Sequence, residues 1–143
     1  MSEPFIRTPT GIAVDLVADI RSWLAESAIS ASGDATSLGN PVHRRLLGPI
    51  DLTADHDDPL AELQRQFAVE GSLGVMVATA QSSELTEEEA EEWIRSLQLI
   101  LAATAARMAL IDEDDVAALR GHDAWSVTTL QALISLLIDA LDT

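Results

Sequence analysis

The sequence predicts an all-α fold, an irregular bundle of about five helices with a hydrophobic C-terminal helix, in which residues 1–143 form a single helical domain. Three observations carry this prediction. The chain is 48% apolar, yet its aromatic residues are only Phe5, Trp23, Phe67, Trp93 and Trp125, so Leu, Ile, Val and Ala at helical spacing must build the core. Apolar residues recur every three or four positions in several long segments. Cap-then-proline pairs, Asn40 with Pro41 and Asp58 with Pro59, open two of those segments.

The first periodic segment is "GIAVDLVADIRSWLAESAIS". Ile12, Leu16, Ile20, Trp23 and Leu24 share one side and Asp15, Asp19, Ser22 and Glu26 the other, the pattern of an amphipathic helix. The run "SASGDATSLGNP" then reads as a connecting loop. "NPVHRRLL" predicts a short helix to Leu47, stopped by Gly48 and Pro49, and "DLTADHDD" an acidic loop. From Asp58 and Pro59 a helix follows with Leu60, Leu63 and Phe67 on one face. Gly71 and Gly74 interrupt it, and "GVMVATA" read alone has strand character. With no second strand to pair with, its backbone groups would be left unsatisfied, so the segment is read as helix, kinked or broken near the glycines.

"LTEEEAEEWIRSLQ" places Thr86 as N-cap with Glu89 three positions on, the spacing of a capping box, and predicts a helix from Glu87 to about Met108. Its buried stripe is expected at Ala90, Trp93, Ile94, Leu97, Ile100, Leu101, Thr104 and Met108. "IDEDD" opens a short acidic turn or helix to Arg120, closed by Gly121. The last segment, "AWSVTTLQALISLLIDALD", leaves only Thr128, Gln131, Ser135, Asp139 and Asp142 as a polar strip. A helix with so narrow a wet strip must be the centre of the bundle or face a second subunit. Leu133, Leu136 and Ile138 are the interface candidates, in a homodimer or against another protein.

Charge and composition exclude several classes of function. The net charge is −16 and the basic residues, all arginine, are scattered, so phosphate backbones and anionic membranes are repelled and neither nucleic acid nor a membrane is expected as partner. No signal-peptide pattern opens the chain, and the longest uncharged apolar stretch, Ala124 to Ile138, falls short of the roughly 20 residues of a spanning helix. A cytoplasmic protein is expected. Without cysteine there is no disulfide, thiolate ligand or cysteine nucleophile. Abundant alanine and the use of arginine without lysine match the output of a GC-rich bacterial genome.

The glutamates of "LTEEEAEEWIRSLQ" are the densest carboxylates in the chain. Di-metal bundles need inward-facing glutamates partnered by Glu-x-x-His, which does not occur here. Acidic residues in a first turn are instead favoured by the helix dipole, and Arg95 can pair with Glu91 or Glu92. Weak metal candidates remain in Asp55, His56 and Asp57 of the acidic loop and in the His122–Asp123 pair, with a metal-dependent hydrolase as the alternative function. "DEDDVAALRGHD" fails as a calcium loop, because Val116 and Ala117 stand where an oxygen donor and a glycine are required. No nucleophile elbow, P-loop or dinucleotide fingerprint occurs. No catalytic residue and no cofactor is therefore expected.

"LTEEEAEEWIRSLQLILAATAARM" followed by an acidic break and "AWSVTTLQALISLLIDAL" resembles the C-terminal half of the domain of unknown function 2017 family of high-GC Gram-positive bacteria. "NPVHRRLLGPIDLTADHDDPLAELQRQF" is similar to that family's middle section, with its proline, paired arginines and Asp-Pro helix start. The chain departs from the family in "SLQLILAATAA", where members often carry a more polar stretch, and in having only Trp125 where they often carry an aromatic pair. The resemblance implies helical architecture without an established activity. Genes of that family often lie near that of a proteolytic adaptor, which implies a partner protein rather than a substrate. The expected function is thus a non-enzymatic helical interaction module or dimer with a regulatory or adaptor role.

Overall fold

The computed structural model describes residues 3–37, 39–47, 59–110 and 113–143. Among them the chain forms six helices and a three-stranded antiparallel sheet, so it is mostly helical and not purely α with five helices. Strands β1 (Phe5–Thr8) and β2 (Gly11–Val14) make a hairpin around Pro9 and Thr10, with Phe5 opposite Val14 and Thr8 opposite Gly11. Strand β3 (Glu84–Leu85) pairs with the other edge of β2.

The hairpin corrects the expectation that residues from Gly11 onward are helical. Ile12 and Leu16 fit a helical period by coincidence, and the turn is fixed by the Gly11 N–H donating to Thr8 Oγ1 at 3.0 Å. A residue with a side chain fits at Gly11 only if β3 shifts. A Cβ would lie 2.0 Å from the Leu85 carbonyl oxygen, so this glycine lets β3 approach.

Helix α1 (Ala18–Ala35) starts later and ends later than the sequence pattern suggests. The "SASGD" run read as loop is its last turns, because Ala28, Ala31 and Ala35 continue the buried stripe begun by Leu24. Alanine carries the core face where larger residues were sought. The short helix α2 (Pro41–Leu47) has its expected cap: Asn40 Oδ1 accepts from the Val42 N–H at 2.9 Å.

Helix α3 (Pro59–Thr79) runs through Gly71 and Gly74 without a break. Helix α4 (Glu87–Arg107) begins with the capping box read from sequence: Glu89 N–H donates to Thr86 Oγ1 at 3.1 Å, and Thr86 N–H to Glu89 Oε1 at 2.8 Å. Its buried face is turned slightly from the expected stripe, taking in Ser96 and Ala103 while Ile94, Leu101, Thr104 and Met108 are only half-buried. After the five-residue α5 (Glu113–Ala117), Gly121 opens helix α6 (Gly121–Leu141) rather than closing the helix before it.

The central helix is α4, not α6. It packs against α1, α2, α3, α6 and the sheet, whereas α6 packs mainly on α4 and β1. The core gathers around fully buried Trp93, whose ring meets Phe5 edge-on with centroids 6.2 Å apart and whose Nε1–H donates to Thr79 Oγ1 at 2.6 Å. Arg21 fastens the sheet to the helices. Its guanidinium donates to the carbonyls of Val14 (3.0 Å), Leu16 (2.9 Å), Ala80 (3.1 Å) and Ser82 (2.7 Å).

Candidate interaction surface

The sequence pattern of α3 puts Leu60, Leu63 and Phe67 on one face, as a core stripe would be. The structure turns that face outward: they are 62%, 46% and 61% exposed. Helix α3 is apolar on both sides, and its inner side is held by Val69, Leu73 and Met76 together with Ser72 and Thr79. From Leu63 to Ala78 every exposed residue is apolar or glycine except Gln64, while Arg65 and Glu70 are half-buried. That is a face about 22 Å long without an exposed charge.

Polar bonding on the inner side explains why α3 sits this way round. Ser96 donates through Oγ to the Ser72 carbonyl, Ser72 Oγ donates to Glu92 Oε2 at 2.6 Å, and Thr79 Oγ1 both accepts from Trp93 and donates to the Val75 carbonyl at 2.6 Å. Small hydroxyl residues bring α3 close to α4, and each hydroxyl finds a partner in a carbonyl, a carboxylate or the indole N–H. Rotating α3 to bury Phe67 would expose Met76 and Leu73 and leave the Trp93 N–H without its acceptor.

Two open grooves flank this face. The α3–α4 groove, of about 560 Å³, has Phe67, Ala68, Gly71 and Val75 as its apolar wall and Glu88, Glu89, Glu92 and Arg95 along its rim. The α1–α3 groove, of about 450 Å³, is lined by Ile29, Gly33, Leu73, Gly74 and Val77 with Glu70 at its edge. At Gly33, Gly71 and Gly74 an added Cβ would meet no atom within 4 Å, so each is a dent open to solvent.

The glutamates of α4 behave as the start of a helix. Glu87, Glu88 and Glu91 are exposed, and Glu87 also pairs with Arg7 at 3.5 Å. Glu92 is the partner that Arg95 takes. Glu84, just before the helix, accepts from Thr8 Oγ1 at 3.2 Å and from Thr10 Oγ1.

The sequence candidates fall elsewhere. Asp55, His56 and Asp57, and the cap proposed at Asp58, lie outside the described residues. His122 sits in the first turn of α6; its ring stacks on Trp125 at 5.5 Å, and Trp125 in turn meets Trp23 of α1 at 4.8 Å. Asp123 is exposed, and among the described residues no three His, Asp or Glu side chains converge as metal ligands. Of the interface candidates, Leu133 is 5% exposed and belongs to the core, whereas Leu136 and Ile138 are 41% and 38% exposed.

Helix α6 starts three residues before the expected Ala124, reaching 21 residues. By length and composition alone it is apolar enough to cross a membrane, with a mean hydropathy of 1.5, and a third of its most apolar window is buried in the chain. All five residues of its expected polar strip are exposed. Its outer side is therefore mixed, and among the described residues the longer uninterrupted apolar face is on α3. The signal for this face is present in the sequence, where Leu60, Leu63 and Phe67 share one side of the helix, but spacing alone does not say whether that side meets the core or solvent. Comparison with protein-family models, curated proteins and solved structures finds no match to this chain.

Proposed function

We propose that the chain is a non-enzymatic helical protein–protein interaction module, with a regulatory or adaptor role, acting in a bacterial cytoplasm. Its partner is another protein or a second copy of itself. The carrying observation is the solvent face of α3, where Leu63, Phe67 and Val77 are exposed beside open glycine dents and no exposed charge interrupts them. Contiguous apolar surface of this kind marks interaction sites in soluble proteins. Membership of the domain of unknown function 2017 family belongs to the same proposal and rests on the residue patterns quoted above. No observation among the described residues favours the metal-dependent hydrolase.

Site-specific photocrosslinking tests this reading. A photoreactive phenylalanine replacing Phe67 is expected to give discrete protein adducts in cells, and the same group replacing exposed Thr128 of α6 to give none. An adduct-free position 67 removes the reading. Light scattering at micromolar concentration decides whether the partner is a second copy, and a strict monomer removes self-association. Leu136→Asp is expected to leave a folded protein in either case, because this side chain is on the outside of α6.

A further inference from the structure

The chemistry of the partner can be read from the same face, and this step rests on the interaction reading just given. We infer that α3 and its two flanking grooves seat a basic amphipathic helix of a partner protein, laid along α3 with its apolar stripe on Phe67, Gly71, Gly74 and Val77. Shape comes first. The exposed residues at 63, 67, 71, 74 and 78 recur every three or four positions, the spacing at which one helix meets another, and Leu63 and Phe67 project while the glycines recede. Side chains of an incoming helix therefore have ridges to pack beside and dents to enter on both sides of α3.

Charge then selects the occupant. The rims of the two grooves carry Glu70, Glu88, Glu89 and Glu92 against Arg95 alone, and Arg95 is already paired with Glu92. Glu89 is held in its capping box and Glu88 stands exposed, so negative charge flanks an uncharged stripe. A second copy would bring the same acidic rims against these in a chain whose net charge is −16. A helix with Lys or Arg bordering its apolar stripe meets the rims with the opposite sign, which speeds encounter and fixes orientation.

The test uses the full chain and three synthetic peptides of about 18 residues, enough to span the face as a helix. One has leucines at helical spacing flanked by lysines; the second has the same leucines flanked by glutamates; the third is a scramble of the first. Binding is followed by fluorescence anisotropy at about 50 and 300 mM salt. The Leu–Lys helix is expected to bind wild type, with the scramble and the Leu–Glu helix weaker by about tenfold or more, and with a loss of affinity at higher salt. Phe67→Ser and Gly74→Leu are each expected to weaken it by about tenfold, the second by filling a dent in a protein that has room for the side chain. Glu88→Arg weakens it several-fold, and Leu136→Asp leaves it unchanged.

Equal binding by wild type and Phe67→Ser, or by the helix and its scramble, overturns the proposal, since charge alone would then explain the affinity. A wild-type dimer that Phe67→Asp dissociates and the Leu–Lys helix fails to displace assigns the face to a second copy, and overturns it too. The two levels separate cleanly. Should no Leu–Lys helix bind while position 67 still crosslinks to a protein, the interaction reading stands and the basic-helix inference falls. If position 67 captures nothing and no peptide binds, both fall.

Discussion

Single side chains hold several joints of this molecule, and three of them give measurable consequences. Arg21 donates to four carbonyls at the place where β2, the start of α1 and the end of α3 meet. Arg21→Met keeps the aliphatic stem but leaves those oxygens without a charged donor, so a loss of about 2–4 kcal/mol is expected in urea unfolding. An unchanged midpoint would show that water replaces the guanidinium. Thr79 accepts the Trp93 indole N–H inside the core, and Thr79→Val preserves shape while stranding that donor, at a cost of about 1–3 kcal/mol. Ala109 offers the opposite sign. It sits at φ 55° just past α4, where Leu110 N–H reaches the Ala105 carbonyl at 2.9 Å, in the left-handed cap position that glycine usually fills. Ala109→Gly relieves the clash of its Cβ but loosens the unfolded chain, and the net expectation is a gain of about 0.5–1 kcal/mol. A lower melting temperature for this variant would contradict the left-handed cap.

Among the elements, those with a local start signal were the most legible. Thr86 with Glu89, and Asn40 with Pro41, announce α4 and α2 because a cap is a hydrogen bond between neighbours in sequence, which spacing alone encodes. The hairpin was hidden for the converse reason. Its second strand is stabilised by Phe5, Val14 and Leu85, which come together only in three dimensions, and Gly11 is required by the carbonyl of a residue far along the chain. Helix α1 was misread at both ends, since Ala28, Ala31 and Ala35 bury as a core face without the bulk by which such faces are recognised. For α3 the spacing put Leu60, Leu63 and Phe67 on one face but did not say which face meets the core, because Ser72 and Thr79 are polar letters that become internal through bonds to α4. Gly11→Ala is the direct test of the sheet: with a Cβ forced against the Leu85 carbonyl, β3 must move away, and a loss of about 1–3 kcal/mol is expected. If Gly11→Ala melts like wild type, β3 does not approach as closely as described.

At the scale of the whole molecule, charge and apolar surface act together. Among the described residues ion pairs join Arg7 with Glu87, Arg95 with Glu92 and Arg107 with Asp34, and the full sequence carries a net charge of −16. Folding gathers those carboxylates into a smaller volume, so the folded state carries a self-repulsion that the expanded chain relieves. The same repulsion opposes stacking of the bare face of α3 on copies of itself. Salt separates these effects. Raising sodium chloride from about 10 to 300 mM shortens the screening length to several ångströms, within the spacing of surface carboxylates. The melting temperature is expected to rise by about 2–5 °C over that range in calorimetry, because relief of the folded state's repulsion outweighs the weakening of three partly exposed ion pairs. A fall in melting temperature would mean that attractive pairs dominate and that the acidic excess is spread too thinly to act on stability. Over the same range light scattering is expected to show growing self-association of wild type but not of Phe67→Asp, since screening removes the barrier and the substitution removes the surface. Association that persists in Phe67→Asp would place the sticky surface elsewhere, with Leu136 and Ile138 of α6 next in line.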